Sequence, residues 1–148
     1  MRKYVKLVTA AALLLPITAA GAPAAAAPAA RTPLGEVDSF FSEYRLAALG
    51  EIEEYPAEIR ARTLSPPLNA ELDAWSAIHG GADPVFRERS IPRSWSLREA
   101  PATLSSPGAH TVSVTETWYE GGSREVLFTV RLPDLRITAI NDAPRWAT

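Results

Sequence analysis

Apolar positions along this chain change their spacing twice, and each regime predicts a different structure. An almost unbroken apolar run from Leu7 to Ala20, interrupted only by Thr9, Pro16 and Thr18, follows a basic start at Arg2, Lys3 and Lys6. Between about residues 34 and 80 apolar residues recur every three to four positions, the helical period. From about residue 94 onward they alternate with polar ones, the period of a strand with one buried face.

The first regime has the three parts of an export signal: a positive start, an apolar core too short to span a bilayer as a stable anchor, and a small-residue tract from Ala19 to Ala30. Proline after a scissile bond resists cleavage, so the bonds before Pro23 and Pro28 are poor sites and a cut near Ala26 is expected. The expected organisation is therefore a signal peptide over 1–26, an Ala/Pro linker over 27–33, one α+β domain over 34–142 and a tail over 143–148.

Thr32 and Pro33 read as a cap and a first helical residue, after which Leu34, Val37, Phe40, Phe41, Tyr44, Ala48 and Leu49 form one apolar face that Gly50 ends. A second, shorter helical segment runs from about Glu51 to Thr63, with acids at its start and Arg60 and Arg62 at its end, as the helix dipole favours. Pro56 makes this segment kinked or late-starting. Ser65 and Pro66 cap a third helix, whose stripe of Leu68, Leu72, Trp75 and Ile78 is expected to face the core before Gly80 and Gly81 stop it.

In the strand half, Val112, Val114 and Trp118 alternate with polar residues, and the pattern resumes at Val126, Phe128, Val130 and Leu132. A hairpin is expected with Trp118 opposite Val126 and Val114 opposite Val130, leaving Gly121, Gly122 and Ser123 as a three-residue loop. Strands over Ser94 to Arg98 and Leu135 to Ile140 complete an antiparallel meander. Helices first and strands second give an α+β fold with N-terminal helices packed on a curved antiparallel sheet.

Composition narrows the function classes. The chain has no cysteine, which excludes disulfides and lipid attachment through an N-terminal cysteine, so the domain must stand on its core alone. Both lysines lie in the leader, and the rest of the chain carries twelve arginines against all seventeen acids. That moderately acidic balance disfavours nucleic acid and anionic membrane as partners. No metal-ligand spacing, nucleophile elbow or cofactor fingerprint is present, and no cofactor or metal is expected.

The strings FFSEYRLAAL, LSPPLNAELDAW, ADPVF, PRSWSLRE, TVSVTETW and VLFTVRLPDLRITAI, spread over residues 36 to 142, resemble small secreted proteins of GC-rich Gram-positive bacteria within the nuclear-transport-factor-two-like, cystatin-like superfamily. The resemblance implies a sheet curled around the first helix into a cone. Enzymes of that superfamily pair an Asp with a His or Tyr in the cone; no complete set aligns here, so the resemblance carries over no catalytic residue.

Glu116 is the most anomalous residue, a carboxylate between Val114 and Trp118 on the apolar face of its strand, opposite Phe128 in the expected register. Desolvation there raises a pKa, which is how general acids and bases are made. An arginine-paired core carboxylate, a bulge turning it outward or an open sheet edge explain it equally in structural terms. His79 sits where the dipole of the third helix favours a cation, and His110 opens a strand. The long connection from Gly80 to Arg93 carries Arg87, Arg89 and Arg93, which offer forks to a carboxylate or phosphate or pair with neighbouring acids.

Three functions remain open. The preferred one is a secreted, non-catalytic domain binding a small ligand or a partner protein through a cone-shaped pocket and its rim, with Arg87, Arg89, Arg93, Tyr44 and Tyr119 as binding candidates and a homodimer allowed. The second is a cofactor-free isomerase or dehydratase using Glu116 with a tyrosine or histidine. The third is a secreted inhibitor or interaction protein working from an exposed loop. An open pocket bringing Glu116 to Tyr44, Tyr119 or a histidine marks catalysis; a filled core under a rigid loop marks interaction.

Overall fold

The computed structural model describes residues 31–142, so the expected leader, most of the linker and the C-terminal tail lie outside the described residues. Three helices precede a four-stranded antiparallel meander: α1 (Pro33–Ala48), α2 (Pro56–Thr63), α3 (Pro66–Ile78), then β1 (Ser94–Glu99), β2 (Ala109–Thr117), β3 (Ser123–Arg131) and β4 (Ile137–Asp142) in the spatial order β1-β2-β3-β4. A short 3-10 turn over Ala102–Leu104 bridges β1 and β2.

Local chemistry sets the helix boundaries. Thr32 Oγ1 accepts the Gly35 N–H and Pro33 occupies the first turn, where its missing N–H costs nothing. At the other end Gly50 adopts φ +70, a conformation open to glycine without strain, and its N–H closes on Ala47 O. The second helix starts late, at Pro56, with the Glu58 side chain accepting the Tyr55 N–H. Ser65 Oγ caps α3 through the Leu68 N–H.

The core lies between α1 and the inner sheet face. Phe40, Phe41 and Tyr44 of α1 are buried against Val112 and Val114 of β2, Val126, Phe128 and Val130 of β3, and Ile137 and Ile140 of β4. The Phe41 ring lies 5.3 Å from Phe86, 5.2 Å from Trp95 and 6.2 Å from Phe128, so one α1 side chain joins the helix, the connection and the sheet. Beyond β4, Leu64 makes a parallel bridge to Ile137 and the Ser65 N–H donates to Ile137 O, tying the α2–α3 junction to the sheet edge.

Two expectations are corrected. Val114 pairs with Val126 and Val112 with Phe128, a register displaced by four residues from the expected one, and the β2–β3 loop spans residues 118–122 rather than three residues. A displacement by an even number keeps every side chain on its own face, so alternation alone does not detect it. On α3, Leu68 and Leu72 are buried but Trp75 is only half-buried and Ile78 is 78% exposed, so only the first half of the helix packs on the core. Trp75 instead stacks on His79, with centroids 4.0 Å apart.

Candidate functional site

The corrected register places Glu116 opposite Arg124, not Phe128. Both residues occupy inward positions of their strands, and the side chain of Glu116 is completely shielded from solvent. Arg124 grips one carboxylate oxygen with two donors, Nε at 3.1 Å and Nη2 at 2.7 Å from Oε2, while Oε1 has no partner. The same Nη2 donates to Phe86 O at 2.6 Å, and the guanidinium carbon lies 5.7 Å from the Trp118 ring centroid. One arginine thus joins β2, β3 and the α3–β1 connection.

That connection folds into a turn over Asp83 to Glu88, closed by the Asp83 N–H donating to Glu88 O at 2.8 Å. Asp83 Oδ1 accepts the Val85 and Phe86 N–H groups, each at 2.9 Å, and Oδ2 accepts the Tyr44 hydroxyl at 2.9 Å. Val85 and Phe86 are driven into the core, Phe86 packing edge-on against Phe41 and Tyr44. Arg87 then takes φ +51, rare for a residue with a side chain, and its Nη2 donates to Ile140 O at 3.2 Å.

Electrostatics follow from this burial. Desolvation pushes the Glu116 carboxyl from 4.5 up to about 7, against the opposing pull of Arg124 and with smaller upward pushes from Asp142 and Asp83. Pairing with arginine and an upward shift therefore coexist here, since losing water outweighs one guanidinium that itself remains partly hydrated. Asp83 is raised by desolvation too, countered by its three hydrogen bonds. Tyr44 is raised by its burial and by Asp83, which fixes it as a neutral donor.

The sequence candidates separate into two groups. Tyr44 and Arg87 hold the turn from inside, one 1% exposed and the other half-buried. Arg89, Arg93 and Tyr119 lie at the surface, Tyr119 with 75% of its area exposed in the β2–β3 loop. The Arg93 backbone N–H donates to Thr117 O and the Trp118 indole Nε1 donates to Ser90 O at 3.3 Å, which draws the end of the connection against that loop. Arg89 donates to Gly80 O within the connection. Glu116 reaches neither tyrosine nor either histidine; His110 pairs with Glu99 and His79 Nδ1 lies 2.8 Å from Trp75 O.

Sequence reasoning missed Arg124 and the bonding role of Asp83. A signal for Arg124 existed: it shares parity with Val126, Phe128 and Val130, making it an inward charge on β3 that answers the inward charge on β2. Two clefts of about 250 and 210 Å³ open elsewhere, at the start of α1 around Arg31, Glu36, Ser39 and Arg62, where ion pairs to Glu36, Glu43 and Glu54 already engage the arginines. Among the described residues no group of three His, Cys, Asp or Glu is placed to hold a metal ion, and no helix is long and apolar enough to cross a membrane. No protein-family model matches the chain, and no curated protein or solved structure matches it either.

Proposed function

We propose that the protein is a secreted, non-catalytic binding domain of the cystatin-like cone type that engages a small molecule or a partner protein at the rim formed by the end of the 80–93 connection and the 118–122 loop. The observation that carries this reading is the contrast between the two candidate sites. The Glu116 carboxylate has no solvent-accessible surface and is spoken for by Arg124, whereas Tyr119 stands 75% exposed next to Trp118 in the loop after Thr117, whose carbonyl accepts the Arg93 N–H. An exposed aromatic flanked by arginine has the composition of interaction hot spots. The leader supports export, and the helices-then-meander order supports the superfamily resemblance.

Photo-crosslinking in the secreting host tests the rim. A benzophenone side chain placed at Tyr119 should capture a discrete adduct, whose mass distinguishes a small molecule from a protein. The same group at Ile78, equally exposed but on α3, should not. Equal labelling at both positions, or none at Tyr119, refutes the rim.

A second reading, an acid–base enzyme using Glu116, draws on its unpartnered oxygen and its titration near neutrality. It requires the Asp83–Glu88 turn to move aside before any substrate touches the carboxylate.

A further inference from the structure

The Asp83–Glu88 turn differs from an ordinary core segment in how it is held. Its own backbone closes it into a loop, and beside the core packing of Val85 and Phe86 three polar latches hold it to the rest of the molecule: Tyr44 on Asp83, Arg124 on the Phe86 carbonyl, Arg87 on the Ile140 carbonyl. Hydrogen bonding around it is incomplete. Glu116 Oε1 and Arg87 Nε are both buried without a partner, and Arg87 carries a left-handed backbone. Water satisfies both atoms, and the backbone relaxes, once the turn lifts, so the closed state holds terms that opening relieves.

We propose that this turn is a tethered occupant of a ligand pocket, one that takes an aromatic residue of a peptide, and that ionisation of Glu116 favours the turn's release. The occupant defines the ligand. Phe86 sets a ring 5.3 Å from Phe41 and 5.4 Å from Tyr44 and offers its carbonyl to Arg124 Nη2. Lifting it leaves aromatic walls, one guanidinium donor and, at Glu116 Oε1, an acceptor for an amide N–H. An aromatic residue with its two flanking amides supplies the complement of each. This site is separate from the rim and does not rest on it.

Ionisation is linked to opening through solvent. With the turn closed, Glu116 keeps its proton to about pH 7; exposed to water, it releases it near 4.5. Closure therefore binds a proton, and raising the pH between those values favours the open form. The charged and titratable groups acting on Glu116 are Arg124 from β3, Asp83 from the connection and Asp142 from β4, with Arg87 of the connection set against Asp142 and with Tyr44 and Arg60 acting on Asp83. Asp83 is also raised by burial, so its exposure adds in the same direction.

N-acetyl-L-phenylalanine amide, titrated against the protein with NMR detection at pH 5 and pH 7.5, tests the proposal. Its apparent affinity scales with the open fraction, so binding should tighten by about 50-fold between the two pH values if Glu116 alone supplies the linkage. Shifts should fall on Phe41 and Tyr44, and the Val85 and Phe86 amides should lose exchange protection as ligand is added. Tyr44→Phe keeps the wall and removes one latch, so at fixed pH it should bind about tenfold more tightly; Glu116→Gln should flatten the pH dependence. Shifts confined to residues 118–122, no binding, or an affinity indifferent to pH and to Tyr44→Phe overturns the pocket. So does exchange of Val85 and Phe86 only together with Phe128, because the turn then never opens by itself.

Discussion

Truncating Phe41 should be the costliest aromatic substitution of those contrasted below, and the structure says why. Its side chain is wholly buried and touches three other rings, from the connection, β1 and β3. Removing a buried Phe costs about 3–5 kcal/mol in transfer and cavity terms. Rings paired edge-on or tilted add about 0.5–1.5 kcal/mol per pair beyond area, so Phe41→Ala belongs at the upper end, about 5 kcal/mol. Trp75, the larger residue, should lose less on Trp75→Ala, about 2–3 kcal/mol, because its ring is only partly buried and stacks on exposed His79 rather than on the core. Urea melts measure both: for a domain of this size, with a slope of about 1–3 kcal/mol per molar, the Phe41 variant should unfold roughly 2 M earlier than the parent. With no disulfide to restrain the chain, that is a large part of a marginal stability. Should Trp75→Ala cost as much as Phe41→Ala, the core would be centred on α3 rather than on α1, and the packing described above would be wrong.

The upward shift of Glu116 makes its contribution to stability fully present below 4.5 and lost as pH rises through 7, about 3 kcal/mol in all; parent melts across that window should show the slope, Glu116→Gln should flatten most of it, and a flat parent profile contradicts the burial. Asp134, held down to about 2 by Arg131, acts only below its ordinary range and does not enter that window. Arg124→Met leaves a buried carboxylate unpaired, so it should cost about 3–5 kcal/mol at pH 7.5 and clearly less at pH 5, where Glu116 is neutral; equal losses at both pH values would mean the arginine serves packing alone. Secreted from its own leader, the protein should show by intact mass an N-terminus between Ala24 and Arg31; a cell-retained product still carrying Met1 to Ala20 refutes export.

Legibility in the sequence followed the range of the forces involved. Helix starts at Thr32–Pro33 and Ser65–Pro66 are readable because caps and prolines act within one turn, whereas the acids from Glu51 suggest helix up to a kink or a late start at Pro56, and the structure starts α2 only at Pro56. The inward face of β2 was readable because alternation is local, but its register was not: Val114 fits opposite Val130 or Val126 equally well by parity, and only the full sheet chooses. Glu116 stood out as a misplaced charge, while its answer, Arg124, was hidden by that wrong register. Phe86 carries no signal of burial in the sequence, since it sits in a long polar connection; its burial depends on rings of α1 and on Arg124 of β3, which no window of sequence contains.

The last strand gathers obligations from the whole molecule. Ile137 holds the α2–α3 junction through Leu64 and Ser65, Arg136 just before it donates to Leu64 O at 2.8 Å, and Ile140 O holds Arg87 of the turn. β4 is thus a keystone for elements that precede it in the chain: the three helices and the turn lack both of these tethers until residues 136–140 are in place. One break ahead of Ile137 would loosen the helical junction and one of the turn's three latches together, while Tyr44 and Arg124 still hold the turn, so the short segment before β4 reaches two distant parts of the fold at once.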